Sequence, residues 1–186
     1  MNKDNSTLNL RMTVYASLFT ALIIIGGYIS FPIPFSPVPI VLSDFFVLLA
    51  GLFLGLSWGV TAVGMFLFLG LIGLPVFAGG KAGLAVLIGP TGGFLIGFLL
   101  AVAVIGMIAG KGKSFLVKDL VALIVGTIVI YGIGVPWLKL VLKVTWEKAL
   151  ALGMIPFVPG IIVKIIAALV LIRIIRPVFQ IKDFHN

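Results

Sequence analysis

The 186-residue chain is 62% hydrophobic and only 10% charged, with a mean hydropathy of +1.35. Soluble domains are about half apolar and about a quarter charged, so this composition cannot clothe a water-facing surface, and lipid is the implied solvent. An appended catalytic or nucleotide-binding domain is excluded, the lack of cysteine removes disulfide and thiolate chemistry, and a net charge of +8 reads as topology and lipid contact rather than nucleic-acid binding.

At about 20 residues per crossing, the length allows about six helices with short connections. The expected fold is therefore an all-α integral membrane bundle of six transmembrane helices, a single domain over residues 1–186. Residues 1–12 are polar and contain Lys3, Asp4 and Arg11; the apolar run from Val14 to Ile29 lacks an A-x-A-like cleavage site and reads as an uncleaved first helix. Residues 31–39, with four prolines, read as a stiff extended connection able to wall a site. The second segment is expected from Ile40 to Leu56, with a short turn at residues 57–59 into a third segment ending near Gly73. Gly51, Gly55 and Gly59 recur every fourth residue, a spacing that lets helices approach closely in lipid.

Residues 74–92 form a long glycine-rich connection with Pro75, Pro90 and the lone charge Lys81, apolar enough to re-enter the membrane surface and cover a cavity. The fourth segment covers Gly93 to Ala109 and the fifth Leu120 to Val135. Beyond it, Leu138, Val141, Leu142 and Trp146 lie at helical spacing opposite Lys139, Lys143 and Glu147, as in a helix lying at the interface. The sixth starts at Pro159, a favoured first-turn residue, and ends near Arg173 and Arg176, leaving residues 177–186 as a tail. The end segments and even-numbered loops hold 8 basic residues, namely Lys3, Arg11, Lys111, Lys113, Lys118, Arg173, Arg176 and Lys182; the other side holds 4, Lys81, Lys139, Lys143 and Lys148. Both termini are thus expected in the cytoplasm of a multi-pass plasma-membrane protein, with the proline loop, the glycine-rich loop and the connection before helix six sharing the outer face.

The stretch from Gly106 to Ser114 imitates a phosphate-binding loop, but five residues instead of four separate its first glycine from Gly112, and it follows an apolar helix rather than a strand. It reads as a basic loop. The single histidine, His185, is penultimate, and the acids Asp4, Asp44, Asp119, Glu147 and Asp183 are scattered. No catalytic residue, metal site or cofactor is expected, because no base stands beside a nucleophile.

Two ionisable groups lie inside apolar segments: Asp44 in helix two and Lys164 in helix six. A lone charge at mid-bilayer costs at least ~2.5 kcal/mol, so such groups line a polar cavity, pair, or snorkel outward. Counted from Pro39 and Pro159, each sits about 7.5 Å inside its helix start, at about 1.5 Å per residue. The lysine stem is long enough to snorkel, whereas Asp44 is too short and needs a partner or a cavity. The expectation is a shared outer-leaflet pocket with Lys164 available to an anionic ligand. In helix one, Ala16, Ser17, Thr20 and Ala21 form overlapping small-x-x-x-small pairs, a packing strip for either the chain's own bundle or another subunit.

The run from Gly73 to Phe98, GLPVFAGGKAGLAVLIGPTGGFLIGF, resembles the signature of the BioY family, the biotin-binding S components of energy-coupling factor transporters. PVPIVL in the proline loop, VLLAGLFLG in helix two, and PFVPG followed by Lys164 agree in order and spacing. The resemblance implies a vitamin-binding subunit for biotin that associates with a transmembrane coupling protein and two cytosolic ATPases. It points to Ser43, Phe77, Gly79 and Ile161 beside Asp44 and Lys164 as ligand-binding residues, and to the strip at Ala16, Ser17, Thr20 and Ala21 as the coupling-protein contact. The family pattern Pro-Gly-Asp-x-x-Lys is broken by Ile161, and Val41, Ser43 and Asp44 stand where the family has threonine, glutamine and threonine. Either Asp44 replaces the missing acid as partner of Lys164, or the head-group chemistry differs, as for lipoate, whose apolar head suits Val41 and Ile161. A stand-alone facilitator and a purely structural membrane protein are the competing classes; the structural reading gains nothing from desolvating Asp44 and Lys164.

Overall fold

The computed structural model describes residues 3–109 and 116–178, and side chains within 9–109 and 116–175. Helix α1 spans Lys3–Tyr28 and leads into a hairpin of β1, Ser30–Ile33, and β2, Ser36–Val41. Helix α2 covers Ser43–Leu71; the connection after it contains a 3-10 turn, Ala78–Gly80, and the short α3, Leu84–Ile88. Then come α4, Gly92–Ala109; α5, Leu116–Leu142; α6, Trp146–Gly153; a 3-10 turn at Ile155–Phe157; and α7, Val158–Val178. Among the described residues, five helical segments are long and apolar enough to cross a membrane: Asn9–Tyr28, Ser43–Leu71, Gly92–Ala109, Leu116–Leu142 and Trp146–Ile175.

Several boundaries differ from expectation, each for a physical reason. Helix α1 starts at Lys3 rather than after residue 12, because neither proline nor glycine interrupts the chain before Gly26. The four-proline stretch is extended, as its composition demands, but pairs as a hairpin with Ser30 opposite Val41 and Phe31 opposite Ile40. Ile40 therefore belongs to β2, and α2 begins at Ser43. Helix α5 runs through Pro136 to Leu142 instead of stopping at Val135, as membrane helices tolerate proline where neighbours re-satisfy the backbone. The proposed interfacial helix does not form as one piece: Lys143 adopts φ 54°, which ends α5, and α6 starts anew at Trp146 with Thr145 as its N-cap. Lys139 and Trp146 still meet across that turn, the ammonium 5.1 Å from the ring centre.

The largest correction concerns residues 57–59, which are helical. The chain turns at Gly55, whose φ of 70° and ψ of −165° suit glycine alone. It reverses there: a Cβ on Gly59 would lie 3.4 Å from the carbonyl oxygen of Ala50, a contact that a straight helix of that length forbids. Hydrogen bonds to α1 agree, because Ser43 Oγ donates to the Ile23 carbonyl (2.8 Å) and Thr20 Oγ1 to the Ala62 carbonyl (2.9 Å), although residues 43 and 62 are far apart in sequence.

Helix α4 is the centre of the bundle, packed between α2 and α5. Its fully buried Ile105 faces Gly51 on one side and Gly126 on the other, each a position where a Cβ would come within 2.7 Å of the isoleucine side chain. Gly59 likewise meets Val102, so Gly51 and Gly59 are contact glycines as their spacing foretells, while Gly55 is the turn.

The three expected loops do gather at one end. Ser36 Oγ in the hairpin donates to the Leu152 carbonyl of α6 (2.7 Å), the Tyr28 hydroxyl donates to the Pro75 carbonyl, and Trp137 Nε1 donates to the Gly89 carbonyl (2.9 Å). Each bond ties one connection to a helix end or to another connection, which encloses the space between them.

Candidate binding cavity

Beneath those connections lie two adjoining compartments, with open volumes of about 540 Å³ and 340 Å³. Both are walled by Val38, Pro39 and Val41 of the hairpin and by Phe94 and Phe98 of α4. The smaller compartment adds Asp44, Tyr131, Phe157 and Lys164; the larger adds Ser43, Phe66, Phe77, Lys81 and Thr91.

Asp44 lies in the first turn of α2, where the helix dipole favours a carboxylate, and the late start of that helix, at Ser43, makes it shallower than the count from Pro39 implies. Lys164 reaches across from α7. Its Nζ donates to both carboxylate oxygens of Asp44, at 2.7 and 2.8 Å, and to the Val41 carbonyl at 2.8 Å. Both side chains are only 12% exposed. The pairing settles the choice left by the sequence: Lys164 neither snorkels nor stands open to an anion, because three acceptors face its three ammonium hydrogens. Asp44 lines the smaller compartment beside this contact.

Tyr131 was not legible as a site residue. It presents an aromatic edge to Phe94 (centroids 5.8 Å apart, 80°) and lies 6.2 Å from Phe157, so its ring is wedged in the cavity wall. Its hydroxyl has no hydrogen-bond partner among the described residues and is not sealed from the open space. A single tyrosine in an apolar helix carries no sequence signal of its own; only its juxtaposition with Asp44 across the cavity marks it.

Among the other expected ligand-binding residues, Phe77 lines the larger compartment, held edge-on to Phe66 at 5.4 Å and pressed on Gly70. Ser43 lines it as well, but its hydroxyl hydrogen already serves the Ile23 carbonyl. Gly79 and Ile161 are not among the lining residues. Gly79 supplies the left-handed backbone (φ 67°) of the loop tip, and Ile161, one turn before Lys164, packs half-buried against the apolar core. The helix-one strip divides: Ala16 and Thr20 are buried in the bundle, while Ser17 and Ala21 are exposed. Of the basic stretch resembling a phosphate loop, Lys111, Lys113 and Ser114 lie outside the described residues, as do Lys182, Asp183 and His185 of the tail.

The sequence matches the BioY family model over residues 1–181. The chain belongs to the BioY family. It is 43% identical over 166 residues to the biotin transporter BioY of Thermotoga maritima, covering 89% of this chain and 96% of that one. It is 36% identical over 168 residues to the biotin transporter BioY of Lactococcus lactis, covering 87% and 88%. A crystal structure of the S-component for biotin from an ECF-type ABC transporter superposes with a TM-score of 0.86 at 33% identity, covering 95% of each chain. With five helical segments among the described residues long and apolar enough to cross a membrane, this BioY-family chain is a multi-pass protein of the cell membrane, and its family serves transport rather than catalysis.

Proposed function

We propose that this chain is the biotin-capturing S component of an energy-coupling factor importer, and that the cavity beside Asp44 and Lys164 is where it holds the vitamin. The observation that carries this reading is the polar inventory of the smaller compartment. Biotin's ureido ring offers two N–H donors and one carbonyl acceptor, each costing about 1 to 3 kcal/mol if buried unpaired. Asp44 retains acceptor capacity for the N–H groups, and the Tyr131 hydroxyl is free to donate to the carbonyl. The dithiolane of lipoate would leave both protein groups unanswered, which favours biotin. Purified protein is expected to bind biotin tightly and lipoate not at all, and the reverse preference would overturn the assignment.

We read residues 43–54 and 56–71, on either side of the reversal at Gly55, as two crossings, and with the other four segments this supports a bundle of six crossings with both termini on one side. The excess of basic residues on that side assigns it to the cytoplasm and the cavity to the outer face. A coupling protein and two ATPases then supply the engine, and the exposed half of the helix-one strip, Ser17 and Ala21, is the contact for the coupling protein. This divides the strip experimentally. Ser17→Trp or Ala21→Trp should leave biotin affinity intact while abolishing co-purification with the coupling subunit and uptake. Ala16→Trp, placed in the bundle, should instead lower the yield of folded protein. Uptake in cells without the ATPase module would favour the stand-alone facilitator.

A further inference from the structure

We infer that the two lysines of the cavity have different tasks: Lys164 fixes Asp44, and Lys81 is the counter-ion for the carboxylate of the bound acid. This rests on the reading of the cavity as a biotin site. Two independent observations carry it. First, the smaller compartment is electrically neutral and its cation is saturated, with Asp44 Oδ1, Asp44 Oδ2 and the Val41 carbonyl all within 2.8 Å of Lys164 Nζ. A ligand carboxylate brought there would meet no free N–H on Lys164 and would be repelled by Asp44, so this compartment suits a neutral polar head.

Second, the larger compartment is lined by a cation without an ion-pair partner among the described residues, Lys81. Its backbone is held in place: Phe77 N–H donates to the Lys81 carbonyl (2.9 Å), Gly80 N–H donates to the Phe77 carbonyl (2.9 Å), and the Phe77 ring is 1% exposed beneath them. Lys81 is exposed and lines the larger compartment from this held backbone, while the walls between the compartments, Val38, Val41, Phe94 and Phe98, are apolar. Neutral head inside, apolar chain along the wall and carboxylate at the rim is the order in which an ω-substituted fatty acid would lie.

The test compares biotin with its methyl ester, which keeps the head and chain and loses the charge, on the purified full chain in detergent. The parent should prefer biotin over the ester by about tenfold, the size of a charge-assisted contact at a partly exposed site. Lys81→Met should erase that preference by weakening biotin alone, Lys81→Arg should retain it, and Lys164→Met should weaken both compounds together. Equal affinity of the parent for the two compounds, or a preference that survives Lys81→Met, overturns the assignment of Lys81. Failure of the parent to bind either compound would instead overturn the biotin reading, and this inference with it.

Discussion

Lys164→Met and Asp44→Asn are each expected to destabilise the protein by about 3 kcal/mol, and the double variant by much less than the two losses added together. The reason is what each single change leaves behind. Without the lysine, Asp44 keeps a carboxylate that is 12% exposed with no partner for its charge; without the acid, Lys164 retains only the Val41 carbonyl. Removing both leaves two neutral groups at a cavity wall. Thermal unfolding of the four species in one detergent measures the coupling, and additive losses would mean that the pair contributes nothing as a pair. Biotin binding should separate from stability in the same series. The double variant regains stability but not affinity, because the ureido N–H groups still lack a carboxylate acceptor.

That pair also shows how far the sequence could be read. Two charges in apolar segments are conspicuous because lipid penalises them, so composition alone marked them as candidates for one shared cavity. Their direct pairing did not follow, because it depends on how α7 leans on α2, and no local periodicity encodes a crossing between helices separated by most of the chain. The same limit explains Tyr131 and the strip in α1. Ala16 and Ser17 are equally small, and only the packed bundle turns the first inward and the second outward. Loops fared differently. Proline and glycine act through their own backbones, so the extended 31–39 stretch and the cavity-covering 74–92 connection were evident, whereas a helix running through Pro136 was not, since the neighbours that tolerate it are tertiary.

Gly106→Ala is expected to be among the most damaging small substitutions in the protein, with a loss of at least about 3 kcal/mol and a sharp fall in folded yield. Gly106 sits on α4 where the chain reverses at Gly55. A Cβ there would lie 2.4 Å from Leu56 N, 2.5 Å from Gly55 C and 2.6 Å from Leu56 Cα. All three are backbone atoms, so no rotamer change relieves the overlap, and the reversal itself has to move. Moving it would disturb both halves of α2, including the helix that begins at Asp44. Gly64→Ala is the matched control: Gly64 lies in the same α2, its Cβ position has nothing within 4 Å, and alanine is the better helix former. Melting of the two variants in one detergent, with biotin binding as a second readout, checks the argument. A Gly106→Ala protein that melts with the parent would show that α4 does not hold the turn, and the close approach would then carry no weight in the fold.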